Sequence, residues 1–300
     1  MTSPGQLATA PTAALPPPRP APAGTRTLEL YRANPPQPGG GVPVLLLHGI
    51  PETSLAWRHL LPELARDRVV LAPDLPGLGG SSPEGPYNLQ SVAGALQAFL
   101  DEEIGASSVD VVGHDWGGGV AMTLAAAFPE RVRRLVVISF PGRHADIIRG
   151  FHIPVFGYGP PRMFERSGRG ITSLMFRHAW KGPEPLEPAP LRAYRNAYAD
   201  PERVRAMLGY YQAAVRSVRG AGEDGVASAA GPTPERALVI WGVRDPSVSL
   251  RSGELVVRDL GRSAGPGTVR MLTVPGVGHW PHEEAPGVVT PAVAEFLRAP

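Results

Sequence analysis

The chain has 300 residues with 29 Lys+Arg against 27 Asp+Glu, a formal net charge of +2, and 43% hydrophobic residues. That composition buries a sizeable core in one large domain, or one domain carrying an insertion. It excludes disulfides and thiolate chemistry, since Cys is absent, and it offers no lysine- or arginine-rich stripe for a nucleic acid.

The first 24 residues, "MTSPGQLATAPTAALPPPRPAPAG", have the Pro/Ala bias of a disordered tail. They lack the basic start and unbroken apolar segment of a signal peptide, and no apolar run in the chain reaches membrane-spanning length. The expectation is a cytoplasmic protein with no membrane partner.

"RTLELYRA" (Arg26–Ala33) reads as a strand, and "VPVLLLHG" as a short apolar run of the kind buried on both faces of a parallel sheet. Helix is expected over Leu55–Ala65, strand in "RVVLAPDL", and a loop in "PGLGGSSPEGPYN". Helix over Leu89–Leu100, strand in "SVDVVGHD", helix from Val120 to Phe128 and strand in "RRLVVISF" follow. This alternation predicts an α/β fold: a mostly parallel sheet flanked by helices. From Gly142 to Gly231 it stops, and aromatic, arginine-rich pieces cut by prolines take over. It resumes with "RALVIWGVRD", a helix near Ser252–Leu260, "VRMLTVPGVGH" and a last helix near Pro291–Leu297. The expected organisation is therefore a tail over 1–24, a first part of the sheet domain over 25–141, a helical cap over 142–232 and the rest of the sheet domain over 233–300.

Chemistry concentrates where strands end. Gly113-His-Asp115-Trp-Gly117 has the spacing of a nucleophile elbow, a tight strand-to-helix turn that thrusts its central side chain outward. The centre here is a carboxylate, already ionised at neutral pH and suited to displacement at saturated carbon, leaving an alkyl ester on the enzyme. Cleaving that ester calls for a base and an acid to orient it. His279 follows the last strand and Asp245 the strand before it, giving the chain order nucleophile, acid, histidine. The tetrahedral intermediate would be held by backbone N–H groups of Trp116 and Ile50. Each residue alone has a bland reading: a loop glycine pair, a helix-capping aspartate, a structural histidine. Their joint placement at the C-terminal ends of strands points to a site.

"HGIPE" (His48–Glu52), "DLPGLGGS" (Asp74–Ser81), "GHDWGG" (Gly113–Gly118) and "GHW" (Gly278–Trp280) together resemble the α/β-hydrolase superfamily, in its epoxide hydrolase and haloalkane dehalogenase branch. The resemblance runs from about Val42 to Leu297 and is weakest in the cap. It implies an α/β-hydrolase fold with an inserted helical cap, an aspartate nucleophile, no cofactor and no metal, and a cis Ile50–Pro51 bond. The family usually begins its sheet with a hairpin, and here the first strand of that hairpin falls within the Pro/Ala tail.

Epoxide hydrolases of this branch protonate the departing oxygen from two cap residues. "AMLGYYQAAV" resembles the segment carrying one of them, with Tyr211 the best match and Tyr210 the fallback; by placement the other is His152, with Tyr158 competing. A helix face packed with tyrosines is the bland alternative. Halide release would instead use side-chain N–H donors, and the residue after His48-Gly49 is Ile50, which has none. The remaining histidines, His48 apart, are read as structural. The resemblance thus implies a hydrolase opening a hydrophobic organic epoxide to a vicinal diol, with water as co-substrate and no oligomer indicated. The alternatives are a haloalkane dehalogenase using the same triad, and a ligand sensor that does not turn over.

Overall fold

A computed structural model describes residues 17–35, 40–142, 152–220, 234–265 and 267–299. Eight strands form one sheet: β1 (Arg19–Ala23), β2 (Arg26–Ala33), β3 (Val44–Leu47), β4 (Val70–Pro73), β5 (Val109–His114), β6 (Val132–Ile138), β7 (Arg236–Gly242) and β8 (Val269–Val274). Their order is β1-β2-β4-β3-β5-β6-β7-β8, antiparallel at the first two pairings and parallel from β4 to β8.

The apolar runs explain the layers. Along β3, Val44 and Leu46 enter one hydrophobic cluster while Leu45 and Leu47 enter the other. In β7, Leu238 and Ile240 take the first side, Val239 and Trp241 the second. A strand buried on both faces needs no polar alternation, hence its uninterrupted apolar reading. Helices α2 (Leu89–Ile104), α3 (Trp116–Ala127) and α8 (Leu250–Ala264) cover one face. The short α1 (Leu61–Leu64) and α10 (Pro286–Arg298), which follows the single turn α9 (Pro281–Glu284), cover the other.

Between β6 and β7 the chain forms the inserted helical cap, here α4 (His152–Tyr158), α5 (Gly168–Ala179), α6 (Pro188–Ala197) and α7 (Pro201–Gly220). Helix α7 seats the cap on the sheet domain, its Val204, Met207, Leu208, Tyr210 and Tyr211 joining the same cluster as α2 and α3.

Three expectations need correction. The tail does not extend to residue 24: Arg19–Ala23 pairs with β2, from Arg19↔Leu30 to Ala23↔Arg26, and supplies the hairpin. In "RPAPA" the alanines turn inward, both buried, and the prolines turn out. An edge strand tolerates prolines because one row of its N–H positions needs no acceptor. Residues 1–16 lie outside the described residues. The helix expected over Leu55–Ala65 is instead a 3-10 turn at Ser54–Trp57, capped by the Thr53 side chain, followed by α1. Helix α10 starts at Pro286, five residues before the expected onset, with that proline in its first turn, where a missing N–H costs nothing.

Candidate active site

Strand β3 lies between β4 and β5, so the chain leaves it in opposite directions at its two neighbours. Such a switch point opens a crevice at the C-terminal ends of the strands. The loop after β3 brings Ile50 there, and the turn after β5 brings Asp115.

Asp115 sits at φ 48°, ψ −124°, an unusual backbone conformation for a side-chain-bearing residue and one that marks a strained turn. The turn closes only because two glycines flank it. A Cβ on Gly113 would lie 2.3 Å from the Gly117 carbonyl oxygen, and one on Gly117 would lie 2.2 Å from that of Leu47. The carboxylate is thereby presented with its side chain 16% exposed, beside a His279 side chain that is 6% exposed. One Asp115 oxygen accepts a hydrogen bond from Ile50 N–H at 3.1 Å, and the other is 3.4 Å from His279 Nε2. His279 Nδ1 is 2.7 Å from Asp245, whose other oxygen accepts from the N–H groups of Ser247 and Val248. Trp116 opens α3, where the first N–H groups have no acceptor within the helix. The structure thus brings Asp115, His279, Asp245, Ile50 and Trp116 together. Ile50–Pro51 is cis.

The charges shape one another. Burial alone would raise the Asp115 carboxyl. The hydrogen bond and charge of His279, the charge of His114 and the Ile50 N–H outweigh it and hold the group below its ordinary 3.8. Burial likewise opposes a proton on His279, but the Asp245 and Asp115 carboxylates hold the imidazole well above its ordinary 6.5.

The two adjacent cap tyrosines part ways. Tyr210 donates its hydroxyl to the Pro76 carbonyl at 2.9 Å and stacks on Tyr87, so it is committed to packing. Tyr211 is buried with its ring edge-on to Trp116 at 5.2 Å. Burial and then the nearby Asp115 charge push its phenol far above the usual range, opposed by a hydrogen bond with the Trp116 side chain. Tyr158 is 56% exposed on the outside of the cap. His152 begins α4, and its side chain lies outside the described residues. One helical turn later, Phe156 meets Tyr211 at 5.3 Å between ring centroids.

A cavity of about 220 Å³ reaches His279 from the cap side, walled by Phe156, Phe164, Ile171, Met175 and Trp280. Among the apolar residues of the cap, Val155 and Phe164 line it. Met163 is exposed, Phe176 is stacked between Tyr194 and Trp280, and the side chains of Phe151 and Ile153 lie outside the described residues.

Sequence reasoning missed a second set of charged residues behind the site. His282 is not without a partner: its Nε2 is 3.2 Å from Glu52, which also accepts from Gly49 N–H and lies 2.7 Å from His114 Nδ1. These three carry donor types that a cation uses, and here they pair with one another, Glu52 with His114 and with His282. Glu283 pairs with Arg58 and Tyr194. Glu284 accepts from the backbone N–H groups of Lys181, Gly182, Gly278 and Trp280. The available signal was "HWPHEE" itself, four ionisable residues within six positions of a segment that must pack against the sheet.

The fold and sequence are shared with known proteins. The chain is 28% identical over 281 residues to epoxide hydrolase 4 of Mus musculus, covering 85% of this chain and 72% of that protein. A 2-hydroxymuconate semialdehyde hydrolase of Pseudomonas sp. is 38% identical, but over only 41% of this chain and 44% of its own. The solved structure of the epoxide hydrolase CorEH superposes with a TM-score of 0.76 at 24% identity, over 93% of this chain and 97% of that one, a likeness of fold. Residues 42–286 match the family described as the alpha/beta hydrolase fold, and the chain belongs to that family.

Proposed function

We propose that this protein is an epoxide hydrolase working through a covalent ester on Asp115. The observation that carries the reading is a carboxylate at a strained elbow, lying between a histidine with its own buried acid and a buried cap phenol. The naming of several relatives as epoxide hydrolases supports it.

In the first step an Asp115 oxygen attacks an epoxide carbon, a C–O bond forms and the ring C–O bond breaks. The alkoxide is a stronger base than a phenolate, so Tyr211 can protonate it even with a raised pKa. His152, one turn from Phe156 on α4, is the proposed partner of Tyr211. Esterification removes the Asp115 charge that helped keep His279 protonated. The proton His279 then releases balances the phenolate, and the neutral imidazole becomes a base. His279 takes a proton from water, and the hydroxide attacks the Asp115 carbonyl. Ile50 and Trp116 N–H groups hold the oxyanion, and collapse expels the diol, which takes its proton from His279. The sum is epoxide plus water to vicinal diol.

An epoxide fits better than a halide. Ile50 offers only its backbone N–H, and the Trp116 side chain is engaged with Tyr211. The apolar walls favour a hydrophobic substrate, and their 220 Å³ a compact one. No described helix is long and apolar enough to cross a bilayer.

A single turnover in heavy-oxygen water tests the route. The first diol should carry oxygen from Asp115, with solvent label arriving only in later turnovers. Label in the first diol would mean direct attack by water and would sink the covalent route. His279→Gln should accumulate the ester, seen as added mass on the Asp115 peptide.

A further inference from the structure

Two buried histidines flank the oxyanion loop, and their surroundings differ. His48 Nε2 accepts from Leu75 N–H at 2.9 Å while Nδ1 faces the Gly49 carbonyl at 2.8 Å, so its neighbours are one donor and one acceptor. His114 faces acceptors on both sides, Glu52 at 2.7 Å and the His279 carbonyl at 2.9 Å. A carbonyl only accepts, and so does a carboxylate. The His114 ring therefore meets an oxygen on each side, and Glu52 links it to His282 in a region where all three are buried. Burial disfavours the Glu52 carboxylate, but His114 and His282 outweigh it and hold its carboxyl well below the ordinary range.

The pair touches three segments at once. Glu52 fixes Gly49 N–H, next to the Ile50 donor. His114 precedes Asp115 in the elbow, and its far nitrogen holds the backbone carbonyl of the base, His279. We infer that Glu52 and His114 form a buried carboxylate–histidine bridge that positions the oxyanion loop and the base relative to the nucleophile, so that its main effect falls on hydrolysis of the ester rather than on its formation. Ester formation uses Asp115, held by its own strand and turn, and the cap. Hydrolysis uses Ile50, next to the Gly49 N–H that Glu52 holds, and His279, whose carbonyl His114 holds. Both are positioning residues: neither touches a reacting atom.

The inference rests on the ester mechanism proposed above, and the test separates the two. Rapid-quench mass spectrometry would follow the Asp115 peptide in wild type, His279→Gln, Glu52→Gln and His114→Asn, with an epoxide that the wild-type protein turns over. Absence of the ester in His279→Gln would refute the mechanism. If that variant traps ester, Glu52→Gln and His114→Asn should form it within about threefold of the wild-type rate and hydrolyse it about 10- to 100-fold more slowly. With only the second step slowed, kcat and KM fall together and kcat/KM holds. A purely structural loss lowers the active fraction, reducing kcat at constant KM; that result, or equal slowing of both steps, overturns the bridge. Should both variants fail to fold, Glu52→Asp keeps the carboxylate and draws it back from His114. It should slow hydrolysis alone, by about threefold, and an unchanged hydrolysis rate would equally overturn the bridge.

Discussion

The strand ends of the sheet domain and the cap above them build a site by different means. At the strand ends, functional groups are held by backbone and by opposite charge: Ile50 N–H on Asp115, two N–H groups on Asp245, carboxylates on both sides of His279. In the cap, rings hold rings. Tyr211 is placed by Trp116 and Phe156, and the cavity wall is apolar. The first kind of construction fixes what reaction is run, the second which molecule reaches it.

The largest effect should come from breaking the strand-end machinery. Asp245→Asn keeps the shape but presents His279 with an amide, and should lower ester hydrolysis by about 10³-fold with little change in ester formation, read as ester accumulation. A loss below tenfold would mean that His279 is oriented by other contacts. The cap offers a paired test. Tyr211→Phe should slow ester formation by about 100-fold. Tyr210→Phe, one residue away, should leave that rate within a few-fold and cost about 1 kcal/mol of stability for the lost bond to Pro76. Equal kinetic effects of the two would erase the distinction between a placed phenol and a packed one.

The smallest effect is a titration. His279 is raised in the folded protein, so its contribution to stability is complete below the unfolded value near 6.5 and is lost as pH rises through the folded value. Asp115 is depressed, so its contribution is present above the unfolded value near 3.8 and is lost as pH falls through the folded one. Asp115→Asn removes one of the two charges raising His279, and its ring resonances should titrate at lower pH, still above an exposed histidine because Asp245 remains. An unmoved titration would show that Asp115 and His279 are not coupled.

The parts legible in the sequence are those whose cause is local. The elbow is five residues long, and its glycines are demanded by contacts with neighbouring backbone, so the pattern carries the geometry. The order of Asp115, Asp245 and His279 follows from strands that each read clearly. Strand β1 was hidden because Pro/Ala composition looks like a tail, and only the pairing with β2, which buries Ala21 opposite Leu28 and Ala23 opposite Arg26, makes it a strand. The Glu52–His282 contact joins residues 230 positions apart, and no periodicity announces such a pairing. The choice between Tyr210 and Tyr211 lay in which of two neighbouring rings finds a carbonyl, a matter of tertiary packing.

The carboxylate of Glu284 gathers four backbone N–H groups, two from the end of the cap's α5 segment and two from the loop carrying His279, while His279 N–H itself bonds the Ala179 carbonyl. Cap and base therefore share one anchor. Exchanging this cap for another would not be a neutral graft: a replacement that did not return two amides to Glu284 would unseat the histidine loop as well, so selection for new substrates is expected to work by altering the cavity wall while leaving this seam untouched.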